Sequence, residues 1–468
     1  MKPLDRASQA LRTPSAKRFR HELFSPRLWL RRLAFWGGAV AVGGAAVLFA
    51  IGAEHANDFH RRLIELSPFL PLLVTPLSFA GIAWITRRYF QGAQGSGIPQ
   101  TIAALEHEGV RAKVLSLRIA IGKIFLTLVG LMGGASIGRE GPTVQIGAAI
   151  MHTFGRLARF SRADVERSLI LAGGAAGVAA AFNTPLAGIV FAIEEMSRSF
   201  EQRTSGTILT AVIIAGVTSM AVMGAYPYFG YNSASLPLDN AWIAVVVCGV
   251  GGGLLGGLFS RMLIAGARGL PGRLGSAMRE QPIAFAAACG IVLALIGLVS
   301  GSTTYGTGYH EARSVIEGHA EVPEAYGILK MAATVVSYFS GIPGGIFAPS
   351  LAVGAGFGIN AAQIMPYVPA GAVILLSVVA YFAGVVQAPI TAFVIVLEMT
   401  ENHAMVLPLM AAALLASGTS RLVCKQPLYK ALALGFLHNV TPGEPRKASV
   451  SAATVGPEEA KRDPSERP

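Results

Sequence analysis

Charge is what this sequence has least of. Only 14% of its 468 residues are Asp, Glu, Lys or Arg, against about 25% in soluble domains. So few charges cannot cover a water-exposed surface of this size, which excludes an ordinary soluble globular protein. Cysteine is also scarce. The three present, Cys248, Cys289 and Cys424, lie in or beside apolar segments. They lack metal-ligand spacing and read as core residues. No H-E-x-x-H, Walker loop or dinucleotide fingerprint occurs. One decoy does: Gly134-Ala-Ser-Ile-Gly138 fits the G-x-S-x-G pattern of a hydrolase elbow. That elbow needs a strand and a triad histidine. The surroundings are Gly/Ala-rich, and none of the nine histidines forms a recognisable partner motif. Neither an enzyme nor a cofactor nor a metal is expected.

Apolar sequence takes the place of charge. Hydrophobic residues make up 53% of the chain. Ala34 to Ala53, Ala241 to Leu258, Pro282 to Val299 and Ala370 to Val386 approach or reach the ~20 residues that cross a bilayer as helix. Glycine is enriched, 55 of 468 residues where about 7% is usual. Gly252 and Gly256, and Gly253 and Gly257, recur at four-residue steps. In lipid, small residues at that step let helix backbones approach closely. The expected fold is all-α and embedded in a bilayer.

The chain divides by composition. Residues 1–32 form a basic lead with nine Lys or Arg against Asp5 and Glu22. It is longer than the n-region of a cleavable signal and reads as an amino terminus held in the cytoplasm by its charge. The net charge of +12 sits in this lead and in loops, so no nucleic acid partner is expected. A first membrane half follows over 33–225. Residues 226–240, with their Tyr, Pro and Asn, read as a connection. A second half covers 241–437, and 438–468 is a polar tail expected to be disordered.

The halves are related. Gly134, Gly138, Pro142 and Gly147 share their spacing with Gly341, Gly345, Pro349 and Gly354. Further on, Asn183-Thr-Pro-Leu-Ala-Gly-Ile-Val-Phe-Ala-Ile-Glu-Glu-Met196 aligns with Gln387-Ala-Pro-Ile-Thr-Ala-Phe-Val-Ile-Val-Leu-Glu-Met399 when Pro185 is set on Pro389. The paired prolines lie 43 and 40 residues apart. Two matches in one order make a duplication, and repeated halves with Gly/Pro-broken apolar segments point to a transporter binding site. The spacing leaves the halves' relative orientation open.

Three segments carry the chemistry: Gly95-Ser-Gly-Ile-Pro99, Gly138-Arg-Glu-Gly-Pro142 and Gly345-Ile-Phe-Ala-Pro349. A bilayer tolerates irregular backbone only where protein or a wet cavity surrounds it, and proline suits the first turn of a helix. Each segment therefore reads as a helix start inside the membrane. Helix starts carry unpaired N–H groups and about half a positive charge, so three converging starts would hold an anion without a cationic side chain. Taken singly, each is equally an ordinary break between spans. Glu140 sits in the second segment, and an ionised carboxylate at membrane depth costs about 2.5–3.5 kcal/mol. It must be paired (Arg139 is the adjacent candidate), protonated part of the time, or wet. Glu194 and Glu195 end an apolar run and point about 100° apart on a helix, so they serve different ends. Lys123, the cation in the apolar run 119–132, is a candidate partner for one of them.

These segments, in this order, resemble the CLC family of chloride channels and proton-coupled chloride antiporters, and the likeness runs from about Phe35 to Leu437. The bacterial antiporters are the most similar members. The resemblance implies two inverted helical repeats per subunit, with broken helices meeting at a mid-membrane anion site. It implies that Ser96, Tyr429 and the amides of Ile346 and Phe347 bind the central chloride, Ser favouring chloride where nitrate-preferring relatives have Pro. The backbones of Arg139, Gly141 and Ala348 would line the outer anion path. Glu140 matches the external gating and proton glutamate, Glu195 the internal proton-transfer acid, and Lys123 the buried lysine that supports it. The partners implied are chloride, protons, the lipid bilayer and a second copy in a homodimer. The location implied is a bacterial inner membrane, with both termini cytoplasmic. Gln100 departs from the Glu that bacterial relatives often carry, which would alter charge at the inner mouth. The paired regulatory domains of many eukaryotic members are not seen, so nucleotide regulation is not expected. A passive chloride channel of the same family is the alternative reading.

Overall fold

Proline and glycine set where most of the helices begin. In this computed structural model, which describes residues 25–159, 163–197, 202–224, 226–237, 240–319 and 322–440, there are 19 α-helices and no strand among the described residues. The first, α1 (Pro26–Leu66), opens on a proline and runs 41 residues, about 60 Å at 1.5 Å per residue. It outreaches a hydrocarbon core and takes in Arg31 and Arg32, which the sequence assigned to the preceding basic lead. The rest of that lead, residues 1–24, and the tail from 441 lie outside the described residues.

The first half continues with α2 (Pro71–Tyr89), α3 (Ile98–Glu106), α4 (Glu108–Val114), α5 (Leu117–Met132), α6 (Glu140–Leu157), α7 (Ala163–Phe182), α8 (Pro185–Phe191) and α9 (Gln202–Met223). A π-helical turn, Ala192–Ser197, extends α8. The second half contains α10 (Ile243–Arg268), α11 (Gly272–Glu280), α12 (Pro282–Val299), α13 (Tyr309–Ile316), α14 (Tyr326–Phe339), α15 (Phe347–Ile364), α16 (Ala370–Val386), α17 (Pro389–Thr400), α18 (Val406–Val423) and α19 (Leu428–Val440). By length and composition α1, α7, α9, α10, α12 and α18 are fit to cross a bilayer, and α4 with α5, bent by 51°, form a broken seventh.

The glycine steps in α10 pack two different neighbours. A Cβ on Gly252 would lie 2.8 Å from the Tyr381 nitrogen, and one on Gly256 2.7 Å from that of Val385, both on α16. Gly257, one position round the helix, lies against Ser420 on α18, where a Cβ would meet the carbonyl at 2.9 Å. Backbones this close leave no room for a methyl group, so packing here depends on small residues.

The duplication extends to the backbone. Asn183 and Gln387, each two residues before its matched proline, both adopt left-handed φ of 58° and 57°. The matched helices α8 and α17 run antiparallel, because each one's start meets the other's far end. Glu398 accepts from the amides of Leu186 (3.0 Å) and Ala187 (2.6 Å). Glu194 accepts from Ile390 (3.2 Å) and Thr391 (2.6 Å). The repeats are therefore inverted.

Candidate functional site

Three broken segments meet through their backbones. The amide of Gly95 donates to Ile342 at 3.2 Å and that of Gly344 to Gly95 at 3.1 Å, while Gly138 and Gly345 exchange two bonds of 2.7 Å. Glycine suits this close approach: a Cβ on Gly345 would stand 3.0 Å from the Gly138 carbonyl and 3.1 Å from the Gly141 nitrogen. At Gly97, φ is +100° and a Cβ would lie 2.9 Å from the Gly141 carbonyl. The starts of α3, α6 and α15 are thereby gathered at one place deep in the fold.

Ser96 is 2% exposed and its Oγ lies against Gly141. In α15 the first turn closes from Ser350 to the Ile346 carbonyl at 3.0 Å, so the amides of Ile346, Phe347 and Ala348 precede the first intrahelical donor. Tyr429, in the first turn of α19, is fully buried, and its hydroxyl faces Ser96 Oγ. Beyond each other, neither hydroxyl has a hydrogen-bond partner among the described residues, a rare condition for buried polar groups. The Phe347 ring lies between Phe382 (centroids 4.4 Å), Phe182 (5.0 Å) and Phe191 (6.4 Å).

Glu140 opens α6 and is 1% exposed. Its Oε1 lies 3.9 Å from Arg139 Nε, so the adjacent cation is a loose partner, and accepts from the Tyr228 hydroxyl at 3.3 Å. The carboxylate folds back over Gly138 and faces the backbone of Ala348. Arg139, Gly141 and Ala348 thus surround the Glu140 side of the cluster. Tyr429 lies within electrostatic reach of both Glu140 and Glu195.

Glu194 and Glu195 do face different ways. Glu194 caps α17, and Glu195, in the π-helical turn, is buried at 3% exposure. Such turns recur at functional sites because the extra residue re-aims a side chain. Lys123 corrects one expectation: it forms no ion pair with Glu194 or Glu195. Fully buried, it donates to Gln145 Oε1 at 2.8 Å, and Gln145 in turn bonds the carbonyls of Gly92 and Val114. The cation lies on α5 opposite an amide on α6, and so supports the loop that delivers Ser96. Gln100 is buried, accepting from the Gly97 amide (3.0 Å) and donating to the Gln94 carbonyl (2.6 Å).

Ser136, in the hydrolase-like pattern, is fully buried and its hydroxyl is shared with Thr334 at 3.1 Å. Cys248, Cys289 and Cys424 are buried, unbridged thiols. Sequence reasoning passed over three groups. Tyr228 gave only the signal of an aromatic-rich connection. Glu398 was legible as the repeat partner of Glu194. Lys330, fully buried, donates to the carbonyls of Thr304 (2.9 Å), Tyr305 (3.3 Å) and Gly306 (2.9 Å), and its sequence offers no cue.

Inverted halves with broken helices meeting deep in the fold define a membrane channel or transporter. The profile of the family described as voltage gated chloride channel matches residues 77–421, and the chain belongs to that family, the CLC proteins. Among solved structures it is similar to a slow cyanobacterial chloride/proton antiporter, with TM-score 0.74 and 24% identity, covering 88% of this chain and 99% of that one. A CLC-type fluoride/proton antiporter gives TM-score 0.71 at 22% identity over 85% and 97% of the two chains. A eukaryotic CLC transporter gives 0.69 at 20% over 87% and 75%.

Proposed function

We propose that this protein is a secondary transporter that exchanges chloride for protons. The observation that carries the reading is the pair of facing hydroxyls, Ser96 and Tyr429, buried with no other hydrogen-bond partner among the described residues, beside converging helix starts and within electrostatic reach of two buried acids. An anion needs donors and no competing acceptor. Two hydroxyls and the amides of Ile346 and Phe347 provide donors without a full cationic charge that would hold a halide too tightly.

In this mechanism chloride passes the Ser96–Tyr429 site and the backbones of Arg139, Gly141 and Ala348. The Glu140 carboxylate, itself anionic, occupies the same helix starts and competes with chloride; protonated, it withdraws. Protons reach it from the Glu195 side by a route separate from the inner anion path. Lys123 holds the Ser96 loop through Gln145 and so acts on the site indirectly. No cofactor or metal enters this reading, nor does hydrolysis or nucleic acid.

A homodimer in a bacterial inner membrane, with both termini cytoplasmic, is part of the proposal. The starts of α8 and α17 support the dimer. Leu186 and Ile390 are about half exposed beside the capping carboxylates of Glu398 and Glu194. Facing lipid, part-buried carboxylates are costly, and a second copy would cover them.

The test is proton movement into liposomes holding purified protein under a chloride gradient with no pH gradient. Uphill proton flux supports the antiporter. Rapid chloride flux without proton movement means a passive channel and removes Glu195 from the mechanism.

A further inference from the structure

Tyr228 belongs to neither repeat. It lies in the connection between them, which the sequence marks only as a polar, aromatic-rich break. The connection is nevertheless fastened at four points. Asn183 Nδ2 donates to the Tyr226 carbonyl at 3.0 Å, and the Phe229 amide to Met399 at 2.9 Å. Asn232 Nδ2 donates to Ile316 at 2.8 Å, and Asn402 Nδ2 to Ala234 at 2.8 Å. Asn183 follows α7 in the first repeat; Ile316, Met399 and Asn402 belong to the second. The segment is a strap anchored on both halves.

Tyr228 is the strap side chain that bonds Glu140. Tyr228 is 3% exposed, its ring held edge-on by Phe182 (5.3 Å), Phe229 (5.1 Å) and Tyr309 (4.7 Å). With the ring fixed on three sides, the hydroxyl is left pointing at Glu140 Oε1, 3.3 Å away. Beyond it lies a cavity of about 180 Å³ lined by Glu54, Arg139, Tyr226, Tyr228, Tyr309 and His310. Tyr228 touches both that cavity and Glu140, as does Arg139, so its hydroxyl stands where the carboxylate borders the cavity.

We infer that Tyr228 is a positioning residue for the gate: the strap holds its hydroxyl on the Glu140 carboxylate and so stabilises the pose in which Glu140 excludes the anion. The inference rests on Glu140 competing with chloride, as proposed above. It assigns the inter-repeat connection a part in transport, where a plain linker would have none. A hydrogen bond to an ionised acceptor is stronger than a neutral one, so its loss should matter by about tenfold in the competition between carboxylate and chloride.

The test is a double-mutant cycle. Chloride binding is measured by titration calorimetry on purified wild type, Y228F, E140Q and the Y228F/E140Q double variant, with proton coupling in liposomes alongside. Y228F removes one oxygen and keeps the ring that the aromatic cluster packs. The expected result is chloride binding about tenfold tighter in Y228F, with proton coupling retained. The same substitution should change binding less than twofold when Glu140 is already Gln, because no carboxylate remains to be held. Unchanged binding in Y228F overturns the inference, and so does an equal effect in both backgrounds, which would mean the hydroxyl merely supports the fold. If E140Q alone keeps proton coupling, the transport role of Glu140 fails and the inference goes with it.

Discussion

Glu194 and Glu398 are exchanged between the repeats. Each occupies the same position nine residues after its repeat's proline, and each accepts the first free amides of the other repeat's helix, Ile390 and Thr391 in one case and Leu186 and Ala187 in the other. Two short helices are thereby locked antiparallel by a pair of reciprocal caps. A carboxylate at a helix start satisfies orphan donors and complements the positive end of the helix dipole.

Because the caps are symmetric, their loss should be symmetric. Glu194→Ala and Glu398→Ala are each expected to cost about 2 kcal/mol, the upper range for an N-cap in a partly buried setting. Glutamine at either position, keeping one acceptor, should cost less. Thermal unfolding midpoints in detergent check this. A large loss from one alanine variant beside none from the other would show that the two caps are not equivalent.

Lys330 predicts a larger effect. Its ammonium is fully buried and binds three carbonyls of the loop over Thr304–Gly306. Lys330→Met keeps the stem and removes the donors, leaving buried acceptors that cost about 1–3 kcal/mol each when unpaired. The expected outcome is a fall in thermal midpoint exceeding that of either cap variant. His310 and Thr307, which border the cavity beside Tyr228, follow this loop, so proteolytic sensitivity should rise there first. A variant as stable as wild type would mean the loop is held by other contacts.

What sequence could and could not reveal follows from the range of each interaction. Helix starts are local: Gly97, Gly138 and Gly345 with their nearby prolines announced breaks, and those breaks meet. The duplication was legible because it preserves spacing, down to the matched left-handed Asn183 and Gln387. The glycine steps at Gly252 and Gly253 signalled close packing but not that adjacent positions serve two different helices, α16 and α18. Charge and the family resemblance both point Lys123 toward a glutamate, whereas it donates to Gln145; a side chain's partner across the fold has no periodicity to betray it. Tyr228 was invisible for the same reason. Its value comes from Glu140, 88 residues away, and from anchors on both repeats.

The hydroxyl pair gives a binding prediction. In the proposed site Ser96 and Tyr429 both donate to chloride, so Ser96→Ala and Tyr429→Phe are each expected to weaken chloride binding about tenfold, or about 1.4 kcal/mol. Ser96→Pro should in addition shift the anion ranking toward nitrate. Chloride and nitrate titrations on the purified variants decide it, and an unchanged ranking with unchanged affinity would remove Ser96 from the site.

The two acids separate most cleanly in flux. Glu195 is buried in a π-helical turn, and Glu140 lies against the start of α15, each within electrostatic reach of Tyr429. In the proposed exchange both carboxyl groups carry the proton, as intramembrane acids do in proton relays. Glutamine cannot carry a proton at neutral pH but occupies nearly the same volume. Glu195→Gln should therefore abolish chloride-driven proton uptake while leaving chloride flux within about threefold of wild type, a change of well under 1 kcal/mol. Glu140→Gln should also abolish proton uptake, but it removes the competitor for the anion and should tighten chloride binding, which Glu195→Gln should not. Liposome proton and chloride fluxes with parallel calorimetry distinguish the two. Proton uptake that survives in Glu195→Gln would place the inner proton route elsewhere in the fold, and tighter chloride binding in that variant would mean that Glu195, too, lies on the anion path.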